Sequence, residues 1–520
     1  MCGITGFVNL TKDISKHQNI ITNMNETIKK RGPDEDGYYY EKHVILGHKR
    51  LIVVDPNGGK QPMTTIHNNC QYTIVYNGQL YNTSDLRDEL IENGFSFETY
   101  SDTEVLLKSY ILWGCDVVKK LNGIFGFAIW DTRKQELFVA RDHLGVKPFF
   151  YTIHDNTFVF SSEIKAILAY PGVEAKLDEQ GISELFGLGP AHTPGVVAFK
   201  NIFELKPAEF GIFNSSGLHT EKYWSMVSKP HEDSLKTTCE KTKFLLEDSI
   251  QRQLVSDVPL CTFLSGGLDS SIITLYAANY YKNKKLGPLT TYSVDYKDND
   301  KNFVKTDFQP NSDNYYIDIM KNKLNTIHKV VMLDTPELAK TLEDAMIARD
   351  LPGMADVDSS LLLFCQNVKP EATVTLTGEC SDEISGVTDM SFEYLPDGYT
   401  ITSDVTAGGY REVLIEDGEN LIIFLRRPFA DEKHNIDNHL TEVEKIEINH
   451  RTIVHLTDNE GTANIFSWLE NGYWYMLSSS IDTVEMIKIL ENLINLNLFY
   501  IVMHMEIWYY IHGKYINERS

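Results

Sequence analysis

The stretch LCTFLSGGLDSS, residues 260–271, runs from a short apolar segment through two adjacent glycines into a helical pattern. The apolar residues at 260–264 predict a buried strand, and residues 271–281 predict a helix. The glycines let backbone amides converge, and the serines add hydroxyl donors where the helix begins, so the turn suits an anion. A plain strand-to-helix turn is the alternative interpretation.

The sequence around this stretch continues the same pattern. Residues 241–255 predict an amphipathic helix, and apolar runs at 289–294 and 373–376 predict two further strands. Strands that alternate with helices are typical of a doubly wound parallel sheet. The turn is not a Walker A loop, because it lacks the Gly-Lys-Ser sequence.

The first 200 residues follow a different pattern, in which short apolar runs are bounded by turn residues such as Asn77-Gly78. Helical periodicity over residues 103–113 adds an amphipathic helix. This alternation predicts two sheets packed together and covered by helices. The predicted strands are 44–46, 72–76, 124–130, 137–140, 149–153 and 158–160.

Hairpin signals dominate after residue 386. Asp417-Gly418 and Asn471-Gly472 are each flanked by strand-like runs, and the segment is rich in acidic residues. We therefore predict a separate small β-rich domain. The expected organisation is a first domain at 1–205, a connector at 206–240, a truncated parallel α/β domain at 241–386, a β-rich domain at 387–495 and an apolar end at 496–520.

Composition excludes several classes of function. The 520-residue chain has a formal net charge of -25, so it offers no basic surface for nucleic acid. Its seven cysteines include no CxxC pair, and no apolar leader opens the chain, so we expect free thiols in the cytoplasm. The apolar stretch at 498–511 is too short to span a membrane comfortably and contains Glu506.

The chain opens Met1-Cys2-Gly3. If Met1 is removed, the α-amine of Cys2 lies a few bonds from its sulfur and can act as the general base that produces a thiolate. On these three residues alone, an incidental cysteine is an equal alternative.

Four further motifs follow in order: RGPD at 31–34, GHKRL at 47–51, YNGQLYN at 76–82 and SDTE at 101–104. With them the sequence resembles the class II glutamine amidotransferases, which are N-terminal nucleophile hydrolases with an αββα sandwich. The resemblance implies that Cys2 is the nucleophile and that the Asn77 side chain and the Gly78 amide stabilise the oxyanion. It also implies that glutamine is held by Arg50, Asn77, Gln79 and Asp102. The family usually has glutamate where this chain has Gln79, so we expect weaker glutamine binding with the chemistry retained.

The segment TGECSDE at 377–383 adds a second resemblance. With the 265–271 turn it is similar to the ATP-pyrophosphatase domain of glutamine-hydrolysing asparagine synthetases, and the likeness extends to about residue 385. It implies that ATP is bound by Leu264, Ser265, Gly266, Gly267, Asp269, Ser270, Val294, Thr377 and Gly378, and that Mg²⁺ is bound by Asp269 and Asp382.

The implied reaction converts aspartate, ATP and glutamine-derived ammonia into asparagine through β-aspartyl-AMP. After residue 386 the likeness stops, and the remaining segment resembles a small accessory domain of some bacterial envelope and anti-sigma-like proteins. Three alternatives therefore stay open: a glutaminase whose ATP domain is a remnant, a non-catalytic chimeric protein, and an enzyme that amidates another acceptor. No nucleic-acid or membrane partner is expected, and a homodimer stays open as the assembly.

Overall fold

A computed structural model describes residues 2–189, 192–227, 233–303 and 312–378, and the strands between residues 391 and 494. The chain divides into two compact units. The first contains residues 1–229 and 243–379, and the second consists mainly of residues 380–508.

Over its described residues, the first part of the larger unit contains twelve strands and five α-helices. In chain order the strands are β1 (Gly3–Val8), β2 (Glu35–Tyr40), β3 (Val44–Arg50), β4 (Met63–His67), β5 (Cys70–Leu80), β6 (Gly123–Asp131), β7 (Glu136–Arg141), β8 (Phe150–His154), β9 (Thr157–Ser161), β10 (Phe203–Glu204), β11 (Glu209–Asn214) and β12 (Gly217–Lys222). The helices are α1 (Gln18–Thr27), α2 (Thr83–Glu92), α3 (Asp102–Trp113), α4 (Ile164–Leu168) and α5 (Glu179–Gly187), with a 3-10 turn at Gly114–Lys119.

These strands form two antiparallel six-stranded sheets, in the orders β10-β8-β9-β1-β3-β2 and β12-β11-β7-β6-β5-β4. One core lies between the sheets, where Trp130 is fully buried and Phe149 stacks on Phe160 at 5.3 Å. A second core joins the outer face of one sheet to α2 and α3, and a third joins the other sheet to α1. The layers are therefore α, β, β and α, which confirms the predicted sandwich.

The second sheet extends beyond the predicted domain boundary at residue 205. Strand β11 pairs with β7, so that Phe210 lies opposite Ala140, and β12 pairs with β11. Buried Phe210 and Phe213 pack against the cores. The residues assigned to a connector because of their turn signals thus include two strands, of which β11 is largely buried and β12 is largely exposed.

The second part of the larger unit alternates helices and strands. Its elements are α6 (Leu235–Gln253), β13 (Leu260–Phe263), α7 (Leu268–Lys284), β14 (Thr290–Tyr296), α8 (Asn299–Asn302), α9 (Asp313–Leu324), β15 (Ile327–Leu333), α10 (Thr335–Arg349), α11 (Ala355–Val368) and β16 (Val374–Leu376).

The strands of this part form a parallel sheet in the order β15-β14-β13-β16. The predicted strands at 260–264, 289–294 and 373–376 are its members, which confirms a parallel α/β domain. On the edge strand β15, the side chains of Ile327, Val330 and Met332 are 48%, 49% and 56% exposed. This edge strand therefore exposes apolar side chains among the described residues.

The smaller unit is an antiparallel β-structure. Its strands are β17 (Ser391–Phe392), β18 (Thr400–Ala407), β19 (Tyr410–Glu416), β20 (Leu421–Pro428), β21 (Leu440–Ile448), β22 (Arg451–Asp458), β23 (Asn464–Glu470), β24 (Tyr473–Ser479) and β25 (Leu493–Ile494). Seven of them form one sheet in the order β18-β19-β20-β24-β23-β22-β21. Both predicted hairpins are present as β19–β20 and β23–β24. The apolar end at 496–520 lies outside the described residues.

No helix among the described residues is long and apolar enough to cross a membrane.

His48 on β3 ties the two sheets of the sandwich together. Its ring is fully buried, and its Nε2 lies 3.1 Å from the carbonyl oxygen of Tyr76 on β5. Burial, followed by the charge of Arg50, lowers the pKa of His48 to about 4, although the bond to Tyr76 opposes this shift. The imidazole is therefore neutral in the folded protein at neutral pH.

We predict that His48 makes the sandwich sensitive to acid. Because its folded-state pKa lies below the ordinary value of 6.5, the unfolded chain binds the proton more tightly, and stability is lost as the pH falls from 6.5 toward 4. Between pH 7 and pH 4.5 this group should cost roughly 2–3 kcal/mol of unfolding free energy. Denaturant unfolding at both pH values measures the loss. The variant His48→Gln, which keeps a donor for Tyr76, should lose less, and an equal loss in both proteins would contradict the prediction.

Candidate functional site

The predicted glutamine-site residues gather at one end of the sandwich. Cys2 immediately precedes β1, and Gly3 pairs with Lys49 at the end of β3, next to Arg50. Asn77, Gly78 and Gln79 occupy the end of β5 in the other sheet, and Asp102 begins α3. The antiparallel pairing of β1 with β3 and the packing of the two sheets thus bring residues that are far apart in sequence to one end of the sandwich.

The thiol of Cys2 lies against the backbone of Leu51. The amide of Leu51 donates to Sγ over 3.4 Å, and Sγ lies 3.6 Å from the Leu51 carbonyl oxygen. Burial raises the pKa of the Cys2 thiol, although the Leu51 contact and the charges of Arg50 and Arg31 act in the opposite direction. A thiol held in this state needs a nearby base before it can attack a carbonyl carbon.

Asn77 joins the nucleophile to the second sheet. With its amide oriented to satisfy both neighbours, Nδ2 donates to the Cys2 carbonyl oxygen over 3.1 Å and Oδ1 accepts from Arg31 over 3.2 Å. The predicted oxyanion residue therefore lies beside the nucleophile.

Arg50 is buried and its guanidinium is fixed from several sides. It donates to Glu35 over 2.7 Å, to the Pro56 carbonyl over 3.0 Å and to the Asp55 carbonyl over 2.6 Å. These bonds hold the guanidinium plane in one orientation. A fixed fork of donors is what bidentate carboxylate binding requires.

Asp102 and Gln79 lie close together but face different partners. Asp102 accepts from the Tyr76 hydroxyl over 3.0 Å and from the Leu80 amide over 3.1 Å, and burial raises the pKa of this carboxyl. Gln79 donates from Nε2 to the carbonyl oxygen of Val255 over 2.9 Å. The Gln79 amide thus makes a contact with the segment between α6 and β13 of the parallel α/β part.

Sequence reasoning missed the role of Arg31, although the RGPD motif was the signal. Its Nε donates to the Cys2 carbonyl over 2.9 Å, and its Nη1 pairs with Glu163 over 3.0 Å. Lys147 was also missed. Its pKa is lowered to about 8 by burial and then by the charge of Arg31, while Asp142 and Cys2 oppose the shift.

The predicted ATP residues gather at the carboxyl edge of the parallel sheet. Leu264 and Ser265 follow β13, Val294 lies in the second half of β14, and Thr377 and Gly378 follow β16. Ligands of doubly wound proteins bind at this edge.

The glycine-rich turn is built for an anion. Gly266 has a φ of 88°, which few residues other than glycine adopt, and α7 begins at Leu268 without a side-chain cap on its first amides. The hydroxyls of Ser265 and Ser270 lie 3.0 Å apart in the same turn. Uncapped amides at a helix start favour a phosphate.

The metal prediction concerns two aspartates, of which Asp382 lies outside the described residues. A Cβ added at Gly378 would lie 2.8 Å from the Cβ of Asp269, so Gly378 lies directly beside Asp269. The described residues contain no cluster of three or more His, Cys, Asp or Glu side chains that could hold a metal on its own.

The other cysteines and histidines that the structure describes also form no metal-binding cluster. All six described cysteines are free thiols. In the smaller unit, His455 is buried and stacks on Phe466 at 4.4 Å, which is the environment of a core residue.

Family models match the chain in three places. The model described as glutamine amidotransferase domain matches residues 1–224, and the model described as asparagine synthase matches residues 241–396. A domain of unknown function (DUF4367) matches residues 389–493, the β-rich segment.

Curated relatives match over the first two regions. A Bacillus subtilis protein named asparagine synthetase [glutamine-hydrolyzing] 3 is 52% identical over 74% of this chain, and the chain spans 63% of that protein's length. A Methanocaldococcus jannaschii protein named putative asparagine synthetase [glutamine-hydrolyzing] 2 is 33% identical over 74% of this chain and 75% of its own length. Among solved structures, a Bacillus subtilis glutamine phosphoribosylpyrophosphate amidotransferase matches 76% of this chain and 94% of its own, with 16% identity and a TM-score of only 0.34.

The two family models and the relative that is 33% identical over 75% of its own length lead to the same assignment. The chain belongs to the glutamine-hydrolysing asparagine synthetase family.

Proposed function

We propose that the chain hydrolyses glutamine at Cys2 and uses the released ammonia to convert aspartate to asparagine at the expense of ATP. The observation that carries this proposal is the joint contact of Arg31 and Asn77 with the Cys2 carbonyl, in the same compact unit as the glycine-rich turn. ATP and both amino acids are cytosolic metabolites, so the proposal places the reaction in the cytoplasm.

In the first half-reaction, the α-amine of Cys2, once Met1 is removed, takes the thiol proton, and the thiolate attacks the glutamine amide carbon. The amide of Gly78 and the side chain of Asn77 stabilise the oxyanion while Arg50 and Asp102 hold the α-carboxylate and α-ammonium. Collapse of the tetrahedral species releases ammonia, and water then hydrolyses the thioester to glutamate.

In the second half-reaction, the aspartate side-chain carboxylate attacks the α-phosphorus of ATP, forming β-aspartyl-AMP and pyrophosphate. The amides and hydroxyls of the 265–270 turn hold the pyrophosphate. Mg²⁺, held by Asp269 and Asp382, would offset the charge of the phosphates. Ammonia then attacks the activated carbonyl and displaces AMP.

A glutaminase without synthetase activity is the second candidate. The asparagine synthase match ends at residue 396, residues 380–508 belong to a separate compact unit, and the chain spans 63% of its Bacillus relative. Assaying glutamate, pyrophosphate and asparagine on the full chain separates the two. All three products support the full reaction, and glutamate alone supports the second candidate.

Replacing the nucleophile should separate the two half-reactions. Cys2→Ala is expected to reduce glutamine-dependent glutamate release by roughly 10³-fold or more, because no other group can form the thioester. Ammonia-dependent asparagine synthesis should remain. Cys115→Ala removes a free, half-buried thiol elsewhere and serves as the control. Glutaminase activity that survives in Cys2→Ala would refute the nucleophile.

The unusual glutamine at position 79 should weaken substrate binding. In Gln79→Glu, a carboxylate can pair with the glutamine α-ammonium, so the KM for glutamine should fall by about fivefold, which corresponds to roughly 1 kcal/mol. The bond to Val255 is lost in this variant, as it also is in the control Gln79→Leu, which adds no charge. Steady-state glutaminase kinetics measure both. A KM that is unchanged, or equally changed in both variants, would argue against the binding role.

The glycine-rich turn should be needed only for nucleotide chemistry. Asp269→Asn removes one of the proposed Mg²⁺ ligands, so pyrophosphate release should fall by at least about 100-fold, the range that loss of one preorganised charge produces. Glutaminase turnover should persist. Asp318→Asn, which removes an exposed carboxylate on α9, is the matched control. Normal pyrophosphate output from Asp269→Asn would exclude the assigned role.

A further inference from the structure

A chain of charged side chains runs from the nucleotide-binding part to the nucleophile. At the end of α10, Oδ1 of Asp350 lies 2.9 Å from Nζ of Lys165, and the same ammonium lies 2.6 Å from Oε2 of Glu163. The other oxygen of Glu163 pairs with Arg31, whose Nε donates to the Cys2 carbonyl over 2.9 Å.

The members of this chain are largely shielded from water. The exposed side-chain fractions are 7% for Asp350, 22% for Lys165, 16% for Glu163 and 11% for Arg31. Exposed ion pairs contribute little, but removing one charge from a buried set leaves its partner uncompensated. The four charges should therefore respond to a substitution as one group.

Asp350 also holds the backbone that carries Glu163 and Lys165. Its Oδ2 accepts from the amides of Ile164 over 2.7 Å and Lys165 over 3.2 Å, which are the first amides of α4. Asp350 itself has a φ of 68°, in the left-handed region that residues with side chains seldom adopt. Next to it, Leu351 packs against the apolar cluster formed by Ile164, Ile167 and Ile202.

We propose that Asp350 is a positioning residue for glutamine hydrolysis, acting from the synthetase part of the chain. This inference rests on the proposed glutaminase function. Asp350 fixes Lys165, Lys165 fixes Glu163, and Glu163 orients the guanidinium that contacts both the Cys2 carbonyl and Asn77. The nucleophile and the oxyanion donor thus share one support, whose last member, Asp350, lies outside the amidotransferase domain.

The effect should appear in kcat and not in KM. Of the residues assigned to glutamine, Asn77 contacts Arg31 and also serves the oxyanion. Arg50 and Asp102 are assigned to the charged α-groups of glutamine, and the hydrogen bonds described for them involve no member of the Asp350 chain. Asp350→Asn keeps an acceptor for the α4 amides but removes the charge that faces Lys165. We expect kcat of the glutaminase to fall about tenfold, less than the roughly 100-fold that a full 1 Å misplacement costs.

The experiment uses the full chain and two readouts. Steady-state kinetics give kcat and KM, and the rate at which a diazoketone analogue of glutamine alkylates Cys2 reports the nucleophile directly. Asp358→Asn is the matched control, because it removes the partner of Arg349, the residue that directly precedes Asp350, and Asp358 is not a partner of Lys165 in the described ion pairs. Asp350→Asn should slow both turnover and alkylation, while Asp358→Asn should change neither.

A double-substitution cycle tests whether the charges act as one group. Glu163→Gln should reduce kcat as Asp350→Asn does, and the double variant should lose little more than either single variant. Fully multiplicative losses would overturn the proposal. So would an unchanged kcat in Asp350→Asn, a change confined to KM, or a loss that only follows a reduced fraction of folded protein.

Failure of the proposed function would look different. In that case the unaltered chain would release no glutamate and Cys2 would resist the diazoketone before any variant is made. An active unaltered chain with an unaffected Asp350→Asn variant would remove only this inference.

Discussion

The carbonyl oxygen of Cys2 is the point on which the site depends. Arg31 and Asn77 both donate to it, Arg31 from the turn between α1 and β2 and Asn77 from β5 of the second sheet. One oxygen atom therefore fixes the start of β1 against the end of β5. The shared core and His48 hold the sheets together, and this junction sets the position of Asn77 relative to Cys2. Under the proposed function that position matters, because reacting groups must be held within about 0.5 Å of the productive geometry.

The electrostatics around the thiol follow from its burial. Desolvation raises the pKa of Cys2, and the positive charges of Arg31 and Arg50 offset part of that effect. Lys147 lies in the same environment, and its pKa is lowered by burial and by repulsion from Arg31. A cluster of cationic side chains favours a thiolate and a developing oxyanion alike, so the charge that stabilises the nucleophile also suits the tetrahedral species.

Local sequence patterns predicted most helices and strands, but they could not predict the contacts between residues far apart in the sequence. Residues 260–271 form the expected strand, turn and helix because each step has a local cause in apolar residues, glycines and helix formers. Arg31 could be noticed in a motif, but its bonds to Cys2 and to Glu163 span 29 and 132 residues and leave no local pattern. Asp350 and its partner Ile164 are likewise separated by 186 residues in the sequence. The turn signals between 206 and 240 likewise gave no indication of β11, because pairing with β7 and burial against distant cores decide that strand. Strand β12 in turn depends on pairing with β11.

Under the proposed function, the short segment from Val255 to Ser265 limits the distance that ammonia must travel between the two sites. Val255 accepts from Gln79, and Asp257 accepts from the Asp55 amide over 2.8 Å and from the Tyr100 hydroxyl over 3.0 Å, so this segment touches the glutamine end of the sandwich. Strand β13 begins three residues after Asp257 and leads directly into the phosphate turn at Ser265. Ten residues can span at most roughly 33–36 Å, so the turn lies within that distance of the glutamine site. Residues 255–257 contact the glutamine end and lead into β13, which carries the turn. A displacement of the turn would therefore either bend β13 or move Asp55, whose carbonyl holds Arg50.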